Sequence, residues 1–200
     1  MAKERLKSPR ARLFVALELP DEVREGIVAW GREALSDPAL RPVAPESLHI
    51  TLAFLGYRPE KEIEAIAAVV RESAAPAPWV ELRDPEQRPP RGRARLYALP
   101  TISPGAEALQ AGLEQRLAEG GFYKPEKRPF WPHVTVARVR PEARGSRRPA
   151  VVSELPGPVP EELTEPRIAV RMTLYRSVLQ PTGAQYVPLA QVQLPGGGWQ

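Results

Sequence analysis

The sequence predicts an α+β protein built from two related halves, and three observations carry that reading. Short segments rich in branched and aromatic residues alternate with longer ones whose apolar residues recur at three- and four-residue spacing. A five-residue pattern opening with histidine occurs twice, at His49 and at His133. No linker separates the copies, so residues 1–200 read as one domain of two duplicated lobes, with a basic extension at residues 1–11 and an irregular loop at residues 140–167.

Residues 12–19 have the length and composition of a strand, which Pro20 ends. Asp21 stands where it can cap a helix over residues 22–35, whose Val23, Ile27, Val28, Trp30 and Leu35 make one apolar stripe. A turn-rich segment covers residues 36–47. Residues 48–55 form the next strand, closed by Gly56, and residues 59–73 carry Ile63, Ile66, Ala67 and Val70 at helical spacing. Two short strands follow at residues 79–82 and 95–99, on either side of a stretch rich in proline and arginine. A helix over residues 105–119 places Leu109, Leu113 and Leu117 on one face and stops at Gly120-Gly121. Strands at residues 133–139, 168–179 and 185–194 complete the chain, the first two separated by the aperiodic residues 140–167.

Composition narrows the chemistry. The chain has no cysteine, which excludes disulfides, thiol nucleophiles, zinc knuckles and iron–sulfur clusters. No apolar run approaches the roughly 18 residues of a membrane helix, and Glu18 interrupts the one short apolar stretch after the basic start, so no secretory signal is read and the protein is expected in the cytoplasm. The formal charge of +4 comes mostly from arginine, whose planar fork suits phosphate. Asparagine is absent and there are 25 prolines; heat adaptation and a GC-rich coding sequence both produce that bias.

The chain has two histidines, and each has threonine two positions on: His49-Ile50-Thr51 and His133-Val134-Thr135. Random placement of six threonines would achieve this about once in a thousand. The likeness extends through Ala53 and Ala137, which points to internal duplication. On a strand, His49 and Thr51 share one face about 6 to 7 Å apart while Ile50 and Leu52 face the core. Two such pairs meeting about a pseudo-twofold axis would surround one small anion with two imidazoles and two hydroxyls. An imidazole near its ordinary pKa serves as base or acid at neutral pH, and hydroxyls donate to non-bridging oxygens as charge builds up, which suits a phosphodiesterase. This scheme needs neither metal nor cofactor, and neither triplet has a carboxylate at a useful neighbouring position for metal binding. The residues alone leave open which imidazole is acid and which is base. A lone His-x-Thr is usually structural; two copies that hold every histidine are not.

Arg138 follows the second pattern and could supply a cation, although strict alternation puts it on the face opposite His133 unless the strand bulges. Phe14, Tyr97, Phe130, Trp131 and Tyr175 are candidates for stacking a nucleobase, with core packing the commoner role for each. The arginine-rich residues 88–95 and 138–148 are candidate RNA-facing loops or plain solvated surface.

These residues resemble the 2H phosphoesterase superfamily, and within it the RNA 2′,3′-cyclic phosphodiesterases also described as 2′-5′ RNA ligases. The likeness covers most of the chain: residues 12–20, 48–56 and 128–138, then Leu174-Tyr175-Arg176-Ser177 and, near the end, Tyr186, Pro188 and Leu189. The resemblance implies two pseudo-symmetric lobes, each an antiparallel-rich sheet with helices packed outside, and a water-filled cleft between them. It implies hydrolysis of a 2′,3′-cyclic phosphate at an RNA end to a 2′-phosphate, and reversal to join such an end to a 5′-hydroxyl without ATP; the protein is expected to act as a monomer without metal. It makes His49 the proton donor and His133 the base, with Thr51 and Thr135 holding the phosphate. Two other readings stay open: action on a small cyclic nucleotide or 2′-5′ oligonucleotide, and a non-catalytic RNA-binding module.

Overall fold

The computed structural model describes residues 9–180 and 183–196; residues 1–8 of the basic extension lie outside them. In chain order the elements are β1 (Arg10–Glu18), α1 (Asp21–Ala34), β2 (Leu40–Pro42), β3 (His49–Pro59), α2 (Ile63–Glu72), β4 (Trp79–Leu82), β5 (Glu86–Arg88), β6 (Leu96–Ile102), α3 (Pro104–Glu119), β7 (His133–Val139), the single turn α4 (Glu161–Thr164), β8 (Arg167–Ile168), β9 (Arg171–Gln180) and β10 (Gly183–Gln193). The strands form one antiparallel sheet in the order β10-β9-β1-β3-β7-β6-β4-β8, with β2 added to β7 and β5 to β6. The structure is therefore α+β, as the sequence predicts.

Alternation along β1 sets the layers. Ala11, Leu13, Val15 and Leu17 join the apolar core, while Phe14, Ala16 and Glu18 form the other, also buried, face. Ile66, Ala67 and Val70 of α2 and Leu109, Leu113 and Leu117 of α3 pack into the same core. Burying each of the Ile, Val and Leu side chains among them contributes about 1.5–3 kcal/mol. Helix α3 follows its sequence signals: Ser103 Oγ accepts from the Ala106 N–H, Pro104 occupies the first position, and Gly121 beyond the end takes the left-handed φ of 73°.

Several elements differ from the sequence reading. Asp21 is the first residue of α1 rather than its cap; Pro20 holds the cap position and the Asp21 carboxylate pairs with Arg24. Gly56 does not close β3, because its φ of +66° absorbs a bulge and the strand runs on to Pro59 against Arg10. Helix α2 accordingly starts at Ile63, after a 3₁₀ turn. The turn-rich and arginine-rich segments conceal β2 and β5, whose pairing is supplied by β7 and β6. The strand expected at residues 168–179 is broken, since Ala169 and Val170 carry the chain from β4 to β1, bonding Pro78 O and Glu18 O on the way. No helix among the described residues is long and apolar enough to cross a membrane.

The irregular residues 140–167 are pinned along the molecule by three polar anchors, of which Asp37 is buried. Trp30 Nε1 donates to Pro158 O at 2.9 Å, and Asp84 Oδ1 accepts from the Val159 N–H at 3.1 Å. Asp37 does most: its carboxylate accepts from the N–H groups of Ala39, Ser153 and Glu154 and from Ser153 Oγ, at 2.7–2.9 Å. Those donors, the Glu154 N–H foremost, hold its pKa down at about 2. A carboxylate depressed in the folded state stabilises the fold above its unfolded pKa near 4, and that contribution disappears as pH falls to about 2. In Asp37→Ala, thermal unfolding should lose this part of its pH dependence and trypsin should cleave faster after Arg144 and Arg147; an unchanged acid profile with unchanged cleavage would refute the anchoring role.

Candidate active site

The two His-x-Thr strands meet at one point. Ile50 pairs with Val134, and that pair is where β3 and β7 join. Extending the antiparallel register by one residue in each direction sets His49 opposite Thr135 and Thr51 opposite His133. Ile50 and Val134 are fully buried beneath, so the four polar side chains share the outer face. All four line one cleft of about 690 Å³.

Each strand then bulges at the same place. Leu52 in β3 and Val136 in β7 have no register partner, and the alternation resets after them. The fifth residue beyond each histidine thus returns to the histidine face: Phe54 in the first repeat, Arg138 in the second. Both are exposed and line the cleft. Strict alternation would have turned Arg138 away; the Val136 bulge brings it round.

Each imidazole is fixed by a backbone bond two residues upstream. His133 Nδ1 donates to Trp131 O at 2.7 Å, and His49 bonds the backbone of Ser47 while its Nε2 lies 3.2 Å from Thr51 Oγ1. A proton on Nδ1 leaves Nε2 as the working nitrogen of the neutral ring. Each ring is also stacked. Phe14 lies 5.2 Å from His49 at 28°, and Trp131 lies 4.0 Å from His133 at 18°.

The charges behind the two rings are opposite. On the His49 side, Glu18 is the register partner of His49, and its carboxylate accepts from Arg171 Nε at 2.7 Å, Tyr175 OH at 2.8 Å and the Thr173 hydroxyl. Burial alone would raise the pKa of Glu18, but these three donors outweigh it and keep the carboxylate charged. On the His133 side, the Arg88 guanidinium covers the outer face of Trp131, 3.6 Å from the ring centroid. Burial lowers both imidazole pKa values, that of His49 to about 4. For His49 the Ser47 bond and Glu18 oppose that shift while His133 and Arg138 add to it; for His133 the Trp131 bond opposes it and Arg88 adds to it. An anion between the rings acts in the direction of Glu18, favouring the charged form.

The aromatic candidates divide. Tyr97 is turned into the core, 3% exposed: it pairs with Ala137, which the Val136 bulge faces inward, so it presents no ring to the cleft. Phe130 packs against the core at half exposure. Trp131 has one face on His133 and the other under Arg88, and neither is open to a base. Phe14 is buried among His49, Tyr175, Tyr186 and Phe54 and supports the imidazole; Tyr175 stacks on Phe14 and ties its hydroxyl to Glu18. Phe54, 56% exposed at the cleft, and Tyr186 are the aromatic side chains the sequence reading missed. Glu18 was missed too, although a charge inside an otherwise apolar strand signals a paired, buried carboxylate. Among the described residues, no group of three or more His, Asp or Glu side chains is placed to hold a metal ion.

The model of the 2'-5' RNA ligase superfamily matches residues 19–173. The chain belongs to that superfamily. Within it, the chain is 35% identical over 192 residues to an RNA 2',3'-cyclic phosphodiesterase of Thermus thermophilus, covering 92% of this chain and 91% of the relative. A relative of the same description from Methanothermobacter thermautotrophicus is 30% identical over 190 residues, covering 92% of this chain and all of the relative. Among solved structures of the superfamily, E. coli LigT complexed with 3'-AMP superposes with a TM-score of 0.73 at 28% identity, over 94% of this chain and 99% of that one.

The Arg88 cation contributes to lowering the His133 pKa. In Arg88→Gln the His133 ring should titrate at higher pH while His49 does not move, read by NMR from the protein's two imidazoles. A His133 titration unaffected by the change would show that the guanidinium does not act on the ring.

Proposed function

We propose that this protein hydrolyses the 2′,3′-cyclic phosphate at an RNA end to a 2′-phosphate, with His49 as acid and His133 as base. The observation that carries the reading is the diagonal set at the Ile50–Val134 pair, with each imidazole opposite the other strand's threonine and all four side chains in one cleft. Its relatives named as RNA 2',3'-cyclic phosphodiesterases support it. The chain is taken as a cytoplasmic monomer of two duplicated lobes, acting without metal or cofactor.

A water oxygen attacks phosphorus and gives its proton to His133 Nε2. The bond from phosphorus to the ribose 3′ oxygen breaks, and that oxygen takes a proton from His49 Nε2, leaving the phosphate on the 2′ oxygen. Thr51, Thr135 and Arg138 stabilise the charge on the non-bridging oxygens. His49 must carry a proton for this role; burial holds its pKa down at about 4 in the free protein, so the Glu18 carboxylate and the negative charge of the bound phosphate together have to raise it, whereas Arg88 behind His133 favours the neutral base. The same arrangement run with an RNA 5′-hydroxyl in place of water forms a 2′-5′ linkage, with the strained cyclic ester supplying the driving force.

His49→Ala and His133→Ala should each lower turnover about 10²- to 10⁴-fold while substrate still binds. Incubation with a 2′,3′-cyclic nucleotide in excess chelator should give the 2′-monophosphate; a 3′-phosphate product, or turnover that survives both substitutions together, would contradict the assignment. The rate should also be bell-shaped in pH, with limbs that belong to the coupled pair; a rate that climbs steadily from about pH 5 to 9 would count against paired acid and base.

A further inference from the structure

The cleft holds more positive charge than one phosphate uses. Arg12, Arg41 and Arg138 line it, and among the described residues no Asp or Glu does. Ten arginines elsewhere, Arg24, Arg58, Arg71, Arg83, Arg88, Arg93, Arg148, Arg167, Arg171 and Arg176, form ion pairs, and the others that do not are spread over the surface rather than gathered in one cleft. None of the three cleft arginines does so among the described residues. Arg41 and Arg138 are, in addition, direct cross-strand partners on β2 and β7, both exposed. Like charges in that position repel and destabilise the pair unless an anion lies between or beside them.

Their placement along the strands assigns them different work. Ala16 of β1 is level with Thr51, and Arg12 lies four residues further along β1, beside Tyr57. Because β7 runs opposite to β3, Arg138 and Arg41 lie in the other direction, beyond the row that holds His49 and Thr135. At about 3.3 Å per residue the Arg12 and Arg138 rows are on the order of 25 Å apart, too far for both to serve one phosphorus. The His49 row is the one nearer Arg138. In the reaction proposed above, His49 protonates the departing ribose 3′ oxygen, so the ribose, still bonded to phosphorus through its 2′ oxygen, and the strand attached to it lie on that side.

We infer that the RNA strand runs from the reacting phosphate toward β2, where Arg41 binds the phosphate of the preceding nucleotide. The inference rests on the cyclic phosphodiesterase reading and makes the substrate a polynucleotide end rather than a mononucleotide. Arg12, at the opposite end, lies outside the path of the strand being hydrolysed.

The test compares kcat/KM for a 2′,3′-cyclic mononucleotide and for a tetranucleotide ending in the same cyclic phosphate, over a range of salt, in the wild type, Arg41→Gln and Arg12→Gln. In the wild type the tetranucleotide should be the better substrate at low salt and lose that advantage as salt rises. Arg41→Gln should lose about threefold to tenfold on the tetranucleotide, flatten its salt slope by about 0.7, and keep the mononucleotide rate, which also shows that the variant is folded. Arg12→Gln should match the wild type on both. An equal loss on both substrates in Arg41→Gln, no loss on the tetranucleotide, or a loss found in Arg12→Gln instead would overturn the inference and leave the phosphodiesterase reading standing. A wild type inert on both substrates would overturn the two together.

Discussion

One backbone pair, Ile50 with Val134, holds the site together. It is the whole register shared by β3 and β7, and through it the two sheet halves become one surface. With both apolar side chains buried below, alternation leaves His49, Thr51, His133 and Thr135 no other face to occupy. The paired bulges at Leu52 and Val136 then turn Phe54 and Arg138 into the same cleft. A slip of one residue by either strand at this junction would send that strand's histidine and threonine toward the core and its branched aliphatic residue toward water.

Two identical imidazoles cannot divide acid and base work by themselves, so the surroundings must distinguish them. What lies behind each ring differs in charge: a charged carboxylate held by three donors beside His49, and a guanidinium above the indole that covers His133, with burial lowering both pKa values. Neither Glu18 nor Arg88 belongs to the repeated motif. The two His-x-Thr strands are alike in sequence pattern, and the charges that differ between them come from residues outside that pattern.

Much of this was legible in the sequence, and the omissions have physical causes. The repeated histidine pattern and the apolar stripes of α2 and α3 report local periodicity, which the folded chain keeps. Strands β2 and β5 carry almost no apolar signal, because their partners β7 and β6 impose them. The Val136 bulge is a tertiary event: nothing in the residues 133–138 marks it, yet it decides that Arg138 faces the cleft and Tyr97 does not. Trp131 reads as a stacking platform until Arg88, distant in sequence, is found on its open face. Asp37 gave no sign of the residues 153–154 that it anchors, because hydrogen bonds across more than a hundred residues leave no periodic trace.

The central claim is that both imidazoles attend the same phosphorus. With two histidines in the chain, their ring signals can be followed without interference while inorganic vanadate, a mimic of the five-coordinate phosphorus, is titrated into the protein. Both rings should move together and report one shared dissociation constant. Movement of one ring alone, or two distinct constants, would contradict the account.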